Sequence, residues 1–385
     1  MITTQSAPAG TGKLSTNPPT RLLYGPGPSQ VHPRVYQAIS QPVVGHLDPY
    51  FFEVSQGIQR MLRTVFGTKN DLTLPISATG SGGMETAVSN FVEPGTKVSL
   101  FTAGFFADRI GEMAKRHGGN VVRFEKAWGE IASDDEARDF IRRERPSVVA
   151  FVQAETSTGA FQPSKAICEA AHEVGAVVIA DCVTSLGAMP VNLDGNGIDV
   201  AYSCTQKGLS CPPGLSPVSL SPRAIDRIKS RKQPNRSWYF DLALIMDYYQ
   251  GSHRYHHTAS ASLFYALHEG LALIEEEGLQ NRLERHREAN REFVKGVEKL
   301  GLEMHVPAGH RIWNLNTPRV PPGVDDAKVR SHLLQKHGIE IAGGFGPLAG
   351  KVFRVGIMGP FATSEGVRFF LDRFEEALHE AGYKK

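Results

Sequence analysis

The sequence predicts an α/β protein, with a doubly wound large domain on a mostly parallel sheet and a small C-terminal α+β domain. Three observations lead to this prediction. Apolar, β-branched runs alternate with amphipathic helical patterns between residues 72 and 220, and the pattern changes after residue 255. The chain also has 385 residues, which exceeds the roughly 250 to 300 at which one hydrophobic core stops growing.

The large domain is predicted from five apolar runs separated by segments of helical period. They are "LTLPIS" (72–77), "KVSLFTAG" (97–104), "SVVAFVQAE" (147–155), "AVVIAD" (176–181) and "DVAYSCTQK" (199–207). Strands that are apolar throughout are buried on both faces, and helical segments of about 10 to 15 residues between them are typical of parallel sheets. We therefore expect helices on both faces, with ligands bound at the carboxyl ends of the strands.

The rest of the chain predicts a smaller second domain. Two long helices, "ASLFYALHEGLALIEEEG" and "LQNRLERHREANREFVKGVEKLG", precede segments in the order strand, helix, strand, strand, helix. The predicted division is a large domain over 21–275 and a small domain over 276–385. The first twenty residues are polar and rich in Pro, Ser, Thr and Gly, which predicts a flexible tail.

Composition excludes several classes of function. The formal charge is +2, from 42 basic and 40 acidic residues spread along the chain, which does not favour nucleic acid or an anionic membrane. No apolar stretch reaches the ~20 residues that span a bilayer, and no signal pattern is present. We expect a soluble, cytoplasmic protein that binds small molecules, with its four cysteines buried as free thiols.

No metal site is expected. The cysteines lack C-x-x-C spacing, which argues against zinc. His253, His256 and His257 form a cluster, but no H-E-x-x-H pattern or matching acidic ligand accompanies them.

Asp181 and Lys207 are the two residues that most strongly indicate chemistry. Each ends an apolar run, and the two runs follow one another in the sequence. Either residue alone could be a helix-capping carboxylate or a solvated amine. If the strands are neighbours, a carboxylate and an amine project from the same edge of the sheet.

The segment "SATGSGGMETA" (77–87) predicts a binding site for a phosphate group. A strand passes through Thr79, Gly80 and Ser81 into a helix predicted to begin near Met84, and a helix N-terminus with free backbone amides binds anions. Glu85 stands where the dinucleotide fingerprint needs its third glycine, and the Gly-Lys-Ser/Thr of a P-loop is missing. A monophosphate therefore fits better than a nucleotide.

A phosphate site, a carboxylate and a lysine together are what an enzyme dependent on pyridoxal 5′-phosphate (PLP) requires. The sequence also resembles a known family in seven blocks: "GPGPS" (25–29), "ATGSGGME" (78–85), "AETSTG" (154–159), "ADCVTSLG" (180–187), "CTQKGLSCPPG" (204–214), "YHHTAS" (255–260) and "FRVGIMGP" (353–360). In order, they resemble class V aminotransferases of fold type I, above all the alanine–glyoxylate and serine–pyruvate aminotransferases. The resemblance covers about residues 21 to 380 and implies a seven-stranded sheet.

The resemblance implies a role for residues in each block. Lys207 is expected to bond to the cofactor aldehyde, and Asp181 to face the pyridine N1. The other expected cofactor contacts are Thr79, Gly80, Ser81 and Gln206 at the phosphate, with Phe106 and Thr156 near the ring. Phe106 stands where the nearest members of the family have a Trp, which offers a larger stacking face.

Substrate and partner contacts are also implied. Arg354 resembles the arginine that binds the substrate α-carboxylate, a task that suits a forked guanidinium, with Thr156 and the backbone near Gly45 assisting. Tyr255 and Thr258 resemble residues that reach the phosphate of the neighbouring subunit, which implies a homodimer. His46 lies near the entrance, either as an ordinary loop residue or as one that shapes the substrate site.

The implied reaction is the transfer of an amino group from alanine or serine to glyoxylate or pyruvate, with ping-pong kinetics. A serine–glyoxylate or 2-aminoethylphosphonate aminotransferase is an alternative, because only pocket residues would differ. A cysteine desulfurase is less favoured, since Gln206 rather than His precedes Lys207 and no cysteine follows Cys211. A nicotinamide dehydrogenase lacks its third glycine, and a non-catalytic PLP-fold binding protein would not need both Asp181 and Lys207.

Overall fold

The computed structural model describes residues 17–384. Residues 1–16 of the predicted flexible tail therefore lie outside the described residues. Residues 17–20 form neither helix nor strand and are exposed. Among the helices of the described part, none is long and apolar enough to cross a membrane.

The described chain contains fourteen strands and thirteen α-helices. The strands are β1 Leu22–Leu23, β2 Leu72–Ile76, β3 Lys97–Thr102, β4 Asn120–Glu125, β5 Val148–Val152, β6 Ala154–Glu155, β7 Ala160–Phe161, β8 Val177–Asp181, β9 Val200–Tyr202, β10 Ser216–Leu220, β11 Leu315–Asn316, β12 Ile339–Glu340, β13 Ala342–Gly343 and β14 Phe353–Gly356. The helices are α1 Pro33–Ile39, α2 Pro49–Phe66, α3 Gly80–Phe91, α4 Phe105–Arg116, α5 Asp134–Glu144, α6 Lys165–Glu173, α7 Leu193–Asn196, α8 Pro222–Lys229, α9 Leu242–Gln250, α10 Ala261–Glu277, α11 Leu279–Lys299, α12 Asp326–His337 and α13 Ser364–Glu380.

A seven-stranded sheet forms the centre of the molecule, in the order β2-β10-β9-β8-β5-β3-β4. The strand pairs from β9 to β4 are parallel, whereas β10 runs antiparallel to both β9 and β2. Every residue of β5 and β8 is buried, as strands covered on both faces require. The predicted mostly parallel α/β sheet is confirmed.

The helices that cover this sheet have one apolar face each. In α2, Phe51, Ile58 and Leu62 are buried and recur at helical spacing, so the helix packs onto the core through one side. Asp48 caps its amino end by accepting from the amide of Tyr50, and Gly67 ends it with φ 65°, a conformation that glycine adopts without a steric penalty. Helix α10 packs against both α1 and α2.

A second hydrophobic cluster forms around the three-stranded sheet β11-β14-β13. It contains side chains from α11, α12 and α13, such as Phe293, Leu333 and Phe370. The beginning of the chain joins this cluster, because β1 pairs with β12 and Tyr24 is buried there. The predicted domain boundary near residue 275 stays a prediction; α10 packs in the first cluster and α11 supplies side chains to the second.

The segment after β1 connects the two clusters physically. The Gly356 amide in β14 donates to the carbonyl of Tyr24 at 2.7 Å. A side chain at Gly356 would begin 2.0 Å from the carbonyl oxygen of Gly25, so only glycine permits this close approach. The residues that follow, Pro26 and Gly27, reach the carboxyl edge of the large sheet.

Candidate active site

Lys207 lies in a loop, not at the end of a strand as the sequence predicted. Strand β9 ends at Tyr202, and residues 203–215 turn back through hydrogen bonds from Thr205 N to Leu215 O and from Cys211 N to Thr205 O, both within 3.2 Å. The apolar run in "DVAYSCTQK" therefore overestimates the strand by five residues. The loop can be buried for most of its length because its backbone polar groups are satisfied partly within it and partly by Ser29 and Arg282.

The amine of Lys207 is buried and held. The side chain is 9% exposed, and Nζ donates to the carbonyl of Pro26. Gly27 lies against it, with φ 121°, and a Cβ there would be 2.7 Å from Nζ. Burial lowers the pKa of Lys207 to about 8, because a charged amine loses hydration in the interior.

Asp181 ends β8 and is paired in register with Tyr202 on the neighbouring strand β9. Oδ1 accepts from the Val183 amide at 2.8 Å, and Oδ2 accepts from the Tyr202 hydroxyl at 2.8 Å. Burial raises the pKa of Asp181 to about 7, while these two hydrogen bonds oppose the rise. A nearby cation would favour its ionised form. The predicted adjacency of the two strands is confirmed.

The predicted phosphate site begins a helix, but that helix starts earlier than expected. Helix α3 starts at Gly80, four residues before Met84. The glycines permit this because the first turn packs tightly: a Cβ at Gly83 would be 1.9 Å from the Ser216 Oγ, and one at Gly80 would be 3.0 Å from the Cys204 Cβ. The first amides of a helix have no carbonyl partner within it. These free amides of α3 lie in the segment for which the sequence predicted a phosphate site.

The side chains at this helix start are available to a ligand. The Thr79 hydroxyl makes no capping bond to α3, and Ser81 Oγ accepts from Arg109 NH1 at 2.9 Å. The Gln206 Oε1 is buried and makes no hydrogen bond within the described residues. Buried polar atoms are nearly always paired, so the unpaired Gln206 oxygen suits a site that a polar ligand completes. The donors that fit the phosphate of PLP are the first amides of α3 and the Thr79 hydroxyl.

An open cleft of about 330 Å³ has Lys207 in its lining. Its lining includes Phe106, Thr156, Lys207, Glu340, Phe345, Arg354 and the segment 25–28. The cleft thus brings the predicted residues Phe106, Thr156, Lys207 and Arg354 together. The Thr156 hydroxyl contacts that of Thr184.

Arg354 projects from β14 and is 4% exposed. Its Nε donates to Gly343 O at 2.7 Å, and its terminal nitrogens make no hydrogen bond within 17–384. The Phe345 ring lies over the guanidinium at 3.8 Å, a cation–π contact. Burial lowers the pKa of Arg354 to about 10. A buried guanidinium with unused donors is suited to a carboxylate.

Glu155 is a buried carboxylate beside the cleft that the sequence gave no reason to single out. It is 4% exposed, and burial raises its pKa. The signals that could have identified it are its place at the end of the run 147–155 and the hydroxyl residues that follow it. Arg109, Tyr202 and Phe345 were likewise missed, because their contacts join segments that are distant in the sequence.

Nine predicted residues are not among those that line the cleft within the described chain: Gly45, His46, Thr79, Gly80, Ser81, Asp181, Gln206, Tyr255 and Thr258. Tyr255 is 55% exposed, and its hydroxyl lies 3.3 Å from that of Thr258. The His46 ring lies 4.9 Å from the Tyr255 ring, and Gly45 has nothing within 4 Å of its Cβ position. Among these nine, Gly45, Tyr255 and Thr258 are exposed and His46 is half-buried.

The histidines of the 253–257 cluster already have other partners. His256 Nδ1 lies 2.8 Å from His257 Nδ1, His256 Nε2 contacts Trp238 O at 3.2 Å, and His257 Nε2 contacts Ser77 Oγ at 2.9 Å. Burial lowers the pKa of His257 to about 4. The ring of His253 packs on Phe52, with centroids 4.1 Å apart.

A different group, His332, His337 and Glu376, joins α12 to α13. Its atoms lie close enough to share an ion, but the Lys336 amine occupies the same carboxylate. We therefore describe this group as an ion-pair network.

The fold and the site define a class of enzyme. One edge of a mostly parallel sheet presents a buried lysine in the loop after β9, a carboxylate at the end of β8 and a helix start suited to an anion. These features together characterise fold type I PLP-dependent enzymes. The family model for class V aminotransferases matches residues 22–369. The chain therefore belongs to the class V aminotransferase family, and it is a PLP-dependent transaminase.

Known proteins of this family are similar over nearly the whole chain. The alanine–glyoxylate aminotransferase of Drosophila melanogaster is 38% identical, over 94% of this chain and 93% of that protein. The (S)-ureidoglycine–glyoxylate transaminase of Bacillus subtilis is 37% identical, over 96% and 94%. The crystal structure of an alanine–glyoxylate aminotransferase from Nostoc sp. superimposes with a TM-score of 0.93 at 44% identity, covering 95% of this chain and 97% of that one.

Proposed function

We propose that this enzyme transfers the amino group of a small monocarboxylic amino acid, alanine or serine, to glyoxylate, with pyruvate as a second acceptor. The observation that carries the proposal is the charge of the cleft. Among its described lining residues, Lys207 and Arg354 are the positive ones, and Glu340 is negative. With Lys207 committed to the amino group, one guanidinium remains for one carboxylate, and a second carboxylate would meet Glu340. The names of the Drosophila and Bacillus relatives both include glyoxylate.

Lys207 is the proposed base. A general base works best with a pKa near the operating pH, and burial brings the pKa of this amine to about 8. When free, Nζ takes the proton from the substrate Cα. The same amine then gives this proton to the carbon that lies on the other side of the transferred nitrogen. The Pro26 carbonyl holds Nζ at the mouth of the cleft, so the amine is already positioned for this step.

Asp181 is proposed to hold the proton on the pyridine nitrogen. PLP, when bound, supplies an aldehyde that takes up the amino group and a ring that accepts the electron pair released at Cα. The Asp181 carboxylate accepts from N1–H, and Tyr202 and Val183 orient it through their hydrogen bonds. A protonated ring nitrogen in turn favours the ionised carboxylate over the buried neutral form.

The remaining cofactor contacts follow from the start of α3 and from α4. Thr79, Gly80 and Ser81 are proposed to bind the phosphate through hydroxyl and amide groups, and Gln206 through its side-chain amide. Phe106 packs on one face of the ring, with the guanidinium of Arg109 5.1 Å from the Phe106 centroid. Thr156 hydrogen bonds beside the ring, and Arg354, with the backbone near Gly45, binds the α-carboxylate of the substrate.

We further propose a homodimer in which Tyr255 and Thr258 complete the phosphate site of the partner subunit. Their exposure and their distance from the lining of their own cleft support this arrangement. His46, which packs beside Tyr255, would then face the entrance of the partner's site. The four cysteines are free and buried, which suits the reducing cytoplasm in which we place the enzyme.

A donor and acceptor screen tests the proposal. Purified holoenzyme is assayed with alanine, serine and aspartate as donors against glyoxylate and pyruvate. We expect alanine or serine with glyoxylate to give the highest kcat/KM, with parallel double-reciprocal lines, and aspartate to be poor. Lys207→Ala should abolish transfer, whereas Lys165→Ala, exposed at the start of α6, should not. A preference for aspartate, or transfer by Lys207→Ala, would refute the proposal.

(S)-Ureidoglycine is a second candidate donor. The 37% identity with the Bacillus transaminase over 96% of this chain favours its inclusion in the screen, and it is also a monocarboxylate, as the charge of the cleft requires. A higher kcat/KM with (S)-ureidoglycine than with alanine would identify (S)-ureidoglycine as the preferred donor.

A further inference from the structure

Glu155 is a charged side chain in the interior for which the proposed reaction has no use. It ends β6, beside the cleft, and is 4% exposed. A buried carboxylate is costly unless it is well hydrogen-bonded. Its contacts therefore indicate what it does.

The Glu155 carboxylate acts only as an acceptor in its hydrogen bonds within the described residues. Oε1 accepts from the Ser157 amide at 3.0 Å, from the Ser157 hydroxyl at 2.6 Å and from the Phe106 amide at 3.5 Å, and Oε2 accepts from the Ala107 amide at 3.4 Å. Four donors and no acceptor match an ionised carboxylate. They oppose the effect of burial, which is the larger of the two and raises the pKa of Glu155.

The Phe106 and Ala107 amides belong to the first turn of α4, which starts at Phe105. The residue that precedes this helix is Gly104, which has no side chain to cap it. A Cβ at Gly104 would be 2.3 Å from the Glu155 Cγ. Glu155 thus takes the place of a capping side chain from another part of the chain, and its negative charge lies at the positive end of the helix dipole.

The first turns of α4 carry two groups that face the cofactor site. Phe106 lines the cleft with Lys207, and Arg109 donates to Ser81 at the phosphate site. The Arg109 guanidinium also lies 5.1 Å from the centroid of the Phe106 ring. Any shift of the amino end of α4 therefore moves the Phe106 ring and the Arg109 guanidinium together.

We propose that Glu155 is a positioning residue for the cofactor: it caps α4 from outside the helix and so holds Phe106 against the PLP ring and Arg109 at the phosphate site. The proposal rests on the proposed roles of Phe106 and Ser81. It does not depend on which amino acid is the donor, so a wrong donor assignment leaves it standing.

The test is the affinity of the full-length, cofactor-depleted protein for PLP, measured by equilibrium titration. Glu155→Gln replaces one accepting oxygen by an NH₂ group that faces the amide donors. We expect affinity about tenfold weaker, a change of about 1.4 kcal/mol, because the first turn of α4 loses hydrogen bonds to a charged group, which are the stronger kind. The visible circular dichroism of bound PLP should also weaken, since the ring is held less firmly.

A double-mutant cycle separates positioning from general stability. In a Phe106→Leu background, the same Glu155→Gln change should weaken PLP binding by less than the roughly tenfold expected with Phe106 present, because contacting residues couple and only the share carried through Arg109 remains. The matched control is Glu136→Gln, which removes a carboxylate from the capping box of α5, away from the cleft. It should leave PLP affinity unchanged.

Wild-type PLP affinity in Glu155→Gln, or effects of Glu155→Gln and Phe106→Leu that are fully additive, would overturn the proposal. If Glu155→Gln does not fold, Glu155→Asp carries the same test. Aspartate keeps the negative charge, but its side chain is shorter by one methylene group, so the carboxylate lies farther from the α4 amides. The same two results would overturn the proposal.

Discussion

Asp181 and Tyr202 lie opposite one another on neighbouring parallel strands, and the hydroxyl of Tyr202 donates a 2.8 Å hydrogen bond to Asp181 Oδ2. This bond favours the ionised carboxylate, which is the form that the proposed contact with the ring nitrogen of PLP requires. Tyr202→Phe should therefore raise the pKa of Asp181 and move the acidic limit of kcat to higher pH. At neutral pH we expect kcat to fall about tenfold, the loss that matches roughly 1.4 kcal/mol. An unshifted pH profile would contradict this role.

Stability of the cofactor-free protein should depend on pH through Asp181. Its folded pKa of about 7 lies above the ordinary value of about 3.9, so the folded state binds the extra proton between these values. The free energy of unfolding should then fall as pH rises from about 4 to about 7, by at most about tenfold in the unfolding equilibrium constant per pH unit. Urea unfolding across this range measures the slope. Asp181→Asn should flatten it, and an equal slope in the variant would assign it to other groups.

Gly27 should be indispensable for cofactor attachment. Gly27→Ala places a Cβ 2.7 Å from Lys207 Nζ and keeps φ at 121°, a conformation that costs a residue with a side chain about 1 to 3 kcal/mol. We expect PLP affinity at least about tenfold weaker. Gly95→Ala is the matched control, because Gly95 has φ 85° with nothing within 4 Å of its Cβ position. It carries backbone strain without the contact, so PLP affinity should survive. Equal losses in both variants would show that strain alone acts.

Arg354→Lys should raise the KM for the amino donor at least about tenfold and change kcat less. A lysine cannot reproduce the forked contact with a carboxylate or the stacking on Phe345. Arg373→Lys is the control, since that arginine lies over Phe369 at 4.0 Å on α13, outside the cleft. Steady-state kinetics with varied donor give the answer. An unchanged KM in Arg354→Lys would remove this residue from the carboxylate site.

Mixed dimers test whether Tyr255 and Thr258 act across subunits. One chain carries Lys207→Ala, and the other carries Tyr255→Ala with Thr258→Ala. If the sites are shared between subunits, one site of each mixed dimer lacks Lys207, Tyr255 and Thr258, and the other site is intact. Because one of the two sites is active, the mixed dimer should have about half the activity of the wild-type dimer. Different affinity tags allow the mixed dimer to be purified. Activity no higher than that of the Tyr255→Ala, Thr258→Ala homodimer would place these residues in their own site.

The sequence predicted what depends on local pattern and chain order. The buried strands β5 and β8 are continuous apolar runs, and the adjacency of Asp181 to the next strand follows from the parallel arrangement. The end of β9 was misplaced, because the apolar residues beyond Tyr202 are buried in a loop and burial alone does not distinguish a loop from a strand. The role assigned here to Glu155 was not visible, since it depends on the missing side chain at Gly104, some fifty residues earlier.

The segment from Tyr24 to Gly27 contacts both the strand that carries Arg354 and the amine of Lys207. Its Tyr24 carbonyl is bonded to the strand that carries Arg354, and two residues later its Pro26 carbonyl holds the Lys207 amine. The proposed binding group for the substrate carboxylate and the proposed base are thus both in contact with one short length of backbone. A displacement of the strand that carries Arg354 would therefore be transmitted, through three residues, to the carbonyl that contacts the Lys207 amine.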